Sequence, residues 1–236
     1  MPNSEKSFPD RAQKSHALLS ALNVFVPVFS PPDSAILTVN FTSFLVTVDS
    51  ANEEVENTRS FLAASQMVRK TVSEGAQKLT TQIVNFVKSN PQWKMDFPRI
   101  KELCDKARSV RPKAKQPATP PPTPQKTRDR GDGSYAEIAQ HFKALSAKLG
   151  GLTGYSPPDA NIQPGVIASL ASQLEGNNDA VDTMVSDHAK AVENRYALYF
   201  EPGTGLGAKF AAIKAAVKGQ YGQNSTQFAQ VKGMRW

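Results

Sequence analysis

"FSPPD" occupies residues 29–33 and "YSPPD" occupies residues 155–159, 126 residues further along a chain of 236. An aromatic, a serine, two prolines and an aspartate written twice at this distance decide how the rest is read. At the same offset Ile36 meets Ile162, Ser43 meets Ser169 and Asn52 meets Asn178. Val55 meets Val181, Ser60 meets Ser186, Ala63 meets Ala189 and Arg69 meets Arg195. Upstream, "LSA" at 19–21 falls on "LSA" at 145–147. A further shift of four residues brings Ile83, Val87 and Lys88 onto Ile213, Val217 and Lys218, the extra residues lying in "EPGTG" at 201–205. An internal repeat of this size predicts two copies of one supersecondary unit.

Each copy reads as helix, corner, long helix, helix and a short closing helix. In the first helix Ala17, Leu18, Ala21, Leu22 and Phe25 share a face. Its counterpart opens on Ser134 followed by Glu137, a capping box, and closes at Gly150–Gly151. The two prolines of SPPD stop the first helix and hold the chain extended. Asp33 and Asp159 then cap the next helix, and Pro164 suits a first helical turn. The long helix of the second copy places Leu170, Leu174, Val181, Val185, Val192 and Tyr196 on one seam, with Asn178 in it and Asn52 at the same place in the first copy. "ILTVNFTSFLVTV" at 36–48 is rich in β-branched residues, yet Leu37, Phe41, Phe44, Leu45 and Val48 fit a helix, and its counterpart is plainly helical. A third helix is expected from "EGAQKLTTQIVNFVKS" and from "GLGAKFAAIKAAVKGQYG", and closing helices near 98–109 and 225–232.

The expected fold is therefore all-α, a tandem duplication of an antiparallel helical-bundle unit. Residues 1–110 form copy one and 134–236 copy two, joined by a Pro-rich, basic linker at 111–133. Copy one carries the apolar corner "NVFVPVF" at 23–29, and docking of the two copies is expected to hide at least a few of Val24, Phe25, Val26, Val28 and Phe29. One cysteine, Cys104, excludes an intrachain disulfide framework. The polar N-terminus has no apolar signal core, and no apolar run reaches the ~20 residues of a spanning helix, so a soluble, cytoplasmic protein with no membrane span is expected.

Residues 195–236, "RYALYF…GLGAKFAAIKAAVKGQYGQNSTQFAQVKGMRW", resemble the C-terminal stretch of a loose group of uncharacterised bacterial tandem-repeat helical proteins. Val217–Lys218, Tyr221–Gly222, Ser225, Phe228, Val231, Gly233 and Trp236 stand at matching places, with Phe228 where tyrosine is usual. The resemblance implies a helical fold and carries no activity.

Chemistry-bearing motifs are sparse. "EPGTGLGAKF" departs from a phosphate loop at Ala208 and Phe210, where glycine and a hydroxyl are needed, and comes after a helix rather than a strand. His16, His141 and His188 form no metal-ligand spacing, and Asp187 and His188 point in different directions on a helix and would need a serine brought in by tertiary contact. Arg69 and Arg195 read as contacts near helix ends. "RGD" at 130–132, the PxxP stretches at 117–124 and the sequons at Asn40 and Asn224 carry no weight without a secretion signal or a known groove. The net charge is +7, and the linker holds six basic residues (Arg111, Lys113, Lys115, Lys126, Arg128, Arg130) against Asp129 and Asp132. No catalytic, cofactor or metal residues are assigned. The expectation is a non-enzymatic interaction or structural protein whose bundle surfaces meet a protein partner or a second copy. The alternative is an electrostatic nucleic-acid-binding accessory protein using the linker with Lys214, Lys218, Lys232 and Arg235.

Overall fold

The computed structural model describes residues 7–108 and 134–236. Among these the chain is all-helical: α1 (Ser7–Asn23), α2 (Thr38–Ser89), α3 (Phe97–Ala107), α4 (Tyr135–Gly150), α5 (Pro164–Phe200), α6 (Leu206–Tyr221) and α7 (Thr226–Lys232). Short 3-10 turns cover Ser34–Ile36, Pro91–Trp93 and Ala160–Ile162. The linker expected at 111–133 lies outside the described residues.

The two SPPD corners are built alike. Asp33 accepts a hydrogen bond from the Ala35 amide at 2.8 Å, and Asp159 accepts one from the Asn161 amide at 2.9 Å. Each aspartate thus opens a 3-10 turn ahead of the long helix rather than capping the long helix itself. Ile36 and Ile162, the last residues of these turns, are both buried. The α4 capping box forms as expected, with the Glu137 amide donating to Ser134 Oγ and the Ser134 amide donating to Glu137 Oε2. Ser225 caps α7 by accepting from the Phe228 amide at 3.1 Å.

The 36–48 segment is helical, and α2 runs on without a break through Gly75 to Ser89, 52 residues in one helix. Two separate helices were expected here. Gly75 costs only about 1 kcal/mol in a helix interior, and no proline interrupts the run. α5 likewise continues through Gly176–Asn177–Asn178. Its break comes at Glu201–Gly205, where Gly203 takes φ +80 and a Cβ on Gly205 would lie 2.7 Å from the Glu201 nitrogen.

The compact units do not coincide with the 1–110 and 134–236 division. One consists of Met1–Phe61 with Val185–Trp236; the other is Leu62–Met184. Each unit draws on both segments: α1 packs on α6 and α7 in the first, and α3 on α4 in the second. The first unit's core joins Leu18, Leu22, Phe41, Leu45 and Val48 to Tyr199, Phe210, Ile213, Val217 and Val231. The second unit's core joins Ile83, Val87, Trp93, Ile100 and Cys104 to Phe142, Leu145, Leu149, Ile167 and Leu174. At about 25 cal/mol per Å² of apolar surface, these mixed cores are the main force joining the two segments.

The α5 seam is buried at Ile167, Ala171, Leu174 and Val181, then at Ala191, Arg195 and Tyr199. Val185 and Tyr196, expected in the seam, are 48% and 54% exposed. Hydropathy alone places them inward, because it does not anticipate that an arginine occupies the inward position next to Tyr196.

Candidate partner-binding surface

Residues 24–29 link α1 to the SPPD corner in the first unit. Phe25 and Phe29 turn inward and are buried, whereas Val24, Val26 and Val28 are 69%, 80% and 76% exposed. Docking of the segments was expected to hide at least part of this corner. The segments do pack together within the unit, but the packing takes up the two phenylalanines only. The backbone beneath the valines is held firmly. Gln227 Nε2 donates to the Val26 carbonyl at 2.8 Å, the Tyr221 hydroxyl donates to the Pro27 carbonyl at 2.6 Å, and Gln220 Nε2 donates to the Val28 carbonyl at 2.9 Å. The Ser30 amide donates to Gln220 Oε1 at 2.9 Å. Phe25 also meets Tyr221 edge-on, with centroids 5.5 Å apart. The carbonyls of residues 26–28 are thus committed to the bundle, so strand addition along this edge is disfavoured and contact must come through the valine side chains. Sequence reading flagged the valines but missed Gln220, Tyr221 and Gln227, which become meaningful only once α6 and α7 lie beside the corner.

Of the residues matched across the repeat, Asn52 and Arg69 are half-buried and Arg195 is buried. Tyr199, fully buried, accepts from Asn52 Nδ2 at 2.9 Å and donates to the Phe8 carbonyl at 3.0 Å. Burial pushes its hydroxyl above the usual tyrosine range, partly offset by the Asn52 hydrogen bond. Arg195 lies over the Phe8 ring at 4.3 Å and Arg69 over the Tyr135 ring at 4.2 Å. A stacked guanidinium is worth roughly 0.5–2 kcal/mol. An open cleft of ≈ 350 Å³ beside Asn52 is lined by Glu53, Glu56 and Asn57.

The remaining candidates have structural tasks. Lys209 Nζ donates to the Ala35 carbonyl and stands over the Phe44 ring, so it braces the SPPD corner. Lys214 Nζ donates to the carbonyls of Lys232 and Met234, which ties down the end of α7 and engages one of the four C-terminal basic residues. His16 pairs with Asp49 at 2.9 Å, His188 meets Thr58 Oγ1 at 3.1 Å, and Asp187 pairs with Lys190. Asp187 and His188 therefore face different neighbours. Asn40 lies in α2 and donates to the Ser34 carbonyl. No group of three or more metal-ligating side chains occurs among the described residues, and no helix among them is long and apolar enough to cross a membrane. The RGD and PxxP stretches lie outside the described residues.

No protein-family model, curated protein or solved structure matches the chain.

Proposed function

We propose that this is a non-enzymatic helical interaction protein that presents a bundle surface to a protein partner, and that the Val24–Val26–Val28 ridge is the contact. The observation that carries this reading is the pairing of exposure with fixity. Three large apolar side chains stand mostly in water on a backbone whose carbonyls are held by Gln220, Tyr221 and Gln227. A preorganised apolar ridge loses little conformational freedom on binding. Each of the three is at least 69% exposed, and clustered exposed apolar side chains commonly mark interaction sites. Stable interfaces cover about 800 Å² per partner, so the partner also reaches the flanking amide side chains or binds transiently.

The test is affinity capture from the native cell with the intact protein and with Val26→Asp. A partner retained by the wild type and lost with Val26→Asp, at unchanged helicity and thermal stability, supports the reading. A partner set identical for both proteins refutes it.

A further inference from the structure

We infer that the two compact units are two versions of one module, each closed by exchange between the segments 1–110 and 134–236, so that the starting helices of either segment are fitted to the ending helices of the other. Each unit contains one of every element. The first combines α1, the Ser34–Ile36 turn and the start of α2 with the end of α5, α6 and α7. The second combines α4, the Ala160–Ile162 turn and the start of α5 with the end of α2 and α3. Helices that begin a segment thus always pack with helices that end the other one.

Burial recurs at several matched positions. Phe41, Leu45, Val48 and Val55 are buried in one unit, and Ile167, Ala171, Leu174 and Val181 at the corresponding places in the other. Ala76, Thr80, Ile83 and Val87 correspond in the same way to Leu206, Phe210, Ile213 and Val217. In the first helices the structural register differs by one residue from the LSA match. Ala12, Leu18, Leu22 and Phe25 share burial with Ala139, Leu145, Leu149 and Leu152.

That shifted register places Phe8 opposite Tyr135 in the alignment. These are the two rings under the matched arginines: Arg195 of the second segment lies over Phe8 of the first, and Arg69 of the first lies over Tyr135 of the second. The same key is therefore used reciprocally. Tyr199 and Ser73, both buried, stand one turn beyond these arginines. Two arginine–aromatic contacts made by chance would have no reason to join opposite segments at equivalent positions.

Hydrogen exchange on the full chain tests the exchange directly. Arg195→Ala is expected to raise amide exchange in α1, α6 and α7 while α3 and α4 keep their protection; Arg69→Ala is expected to raise it in α3 and α4 while α6 and α7 keep theirs. A response to Arg195→Ala that spreads to α4 and spares α1 would overturn the inference. A second arm cuts the full chain at a protease site placed between Arg111 and Arg130. The two pieces should elute together, and after joint unfolding and refolding with an isotope-labelled cut chain they should re-pair between labelled and unlabelled copies. Pieces that separate while each keeps its helical spectrum would overturn it as well.

Discussion

Replacing Tyr199 by phenylalanine removes one oxygen from the first unit's core and leaves its shape intact. That oxygen accepts from Asn52 Nδ2 and donates to the Phe8 carbonyl. Asn52 Oδ1 is buried and has no hydrogen-bond partner, so the substitution strips the amide of its Nδ2 partner as well. Leaving a buried polar group unsatisfied costs about 1–3 kcal/mol, and Tyr199→Phe is expected in that range. Asn52→Leu should cost less, since it also removes the unpaired Oδ1 and leaves Tyr199 bonded to Phe8. In the double variant the stranded amide is gone, so the pair should be less destabilised than the sum of the singles by about 1 kcal/mol, a coupling usual for contacting residues. The assay is urea unfolding monitored by Trp236 fluorescence in a Trp93→Phe background. Trp236 packs in the first unit's core and Trp93 in the second's. A Tyr199→Phe protein within about 0.5 kcal/mol of its parent, additive with Asn52→Leu, would refute the argument, because additivity is the behaviour of independent sites.

Other contacts lead to further expected outcomes. Burial pushes the Cys104 thiol up to about 12 from its ordinary 9.0. The folded state therefore holds this proton longer than the unfolded chain, and stability is lost as pH rises from about 9 towards 12. The loss is on the order of 4 kcal/mol at 1.36 kcal/mol per unit, and Cys104→Ala should flatten that alkaline decline in denaturant titrations. A Cβ on Gly207 would lie 2.6 Å from the Trp236 ring, so Gly207→Ala should dislodge the indole, red-shift its emission and cost about 1–3 kcal/mol as overpacking. Lys209→Ala should leave nucleotide titrations flat, as in the parent, and lower stability slightly through the lost contacts to Ala35 and Phe44; saturable binding abolished by the change would contradict the corner reading. Far-UV circular dichroism should be helical, with no strand signature from 36–48.

The local chemistry was legible in the sequence because it is local. Ser134 with Glu137, the SPPD aspartates and Ser225 act within a few residues of themselves, and the periodicity of 36–48 beat its β-branched composition once its counterpart was considered. What could not be read is which face meets which. Hydrophobic spacing says that Leu18 and Ile83 are buried, and it is silent on whether they are buried against their own segment or the other one. In the structure Leu18 shares a core with Ile213 and Val217, and Ile83 shares one with Phe142 and Leu145. Arg69, read as lying near a helix end, is in the interior of α2, which runs on to Ser89; the burial of Arg195 could not be read because its ring partner, Phe8, comes from far along the chain. The valine ridge was seen, but its exposure depends on glutamines more than 190 residues away.

The interleaving of the segments has a consequence for synthesis. Leu62–Met184 is contiguous in the chain, so that unit has all its parts once α5 is half made. The other unit holds the first helix and the last, and cannot close until residue 231 supplies Val231 to its core. At 5–20 residues per second, Phe8, Leu18, Leu22 and Phe41 wait roughly 10–40 s for the part of their core that α6 and α7 supply. The inner unit therefore has all its parts first, and α1 waits longest for the helices it packs on, α6 and α7.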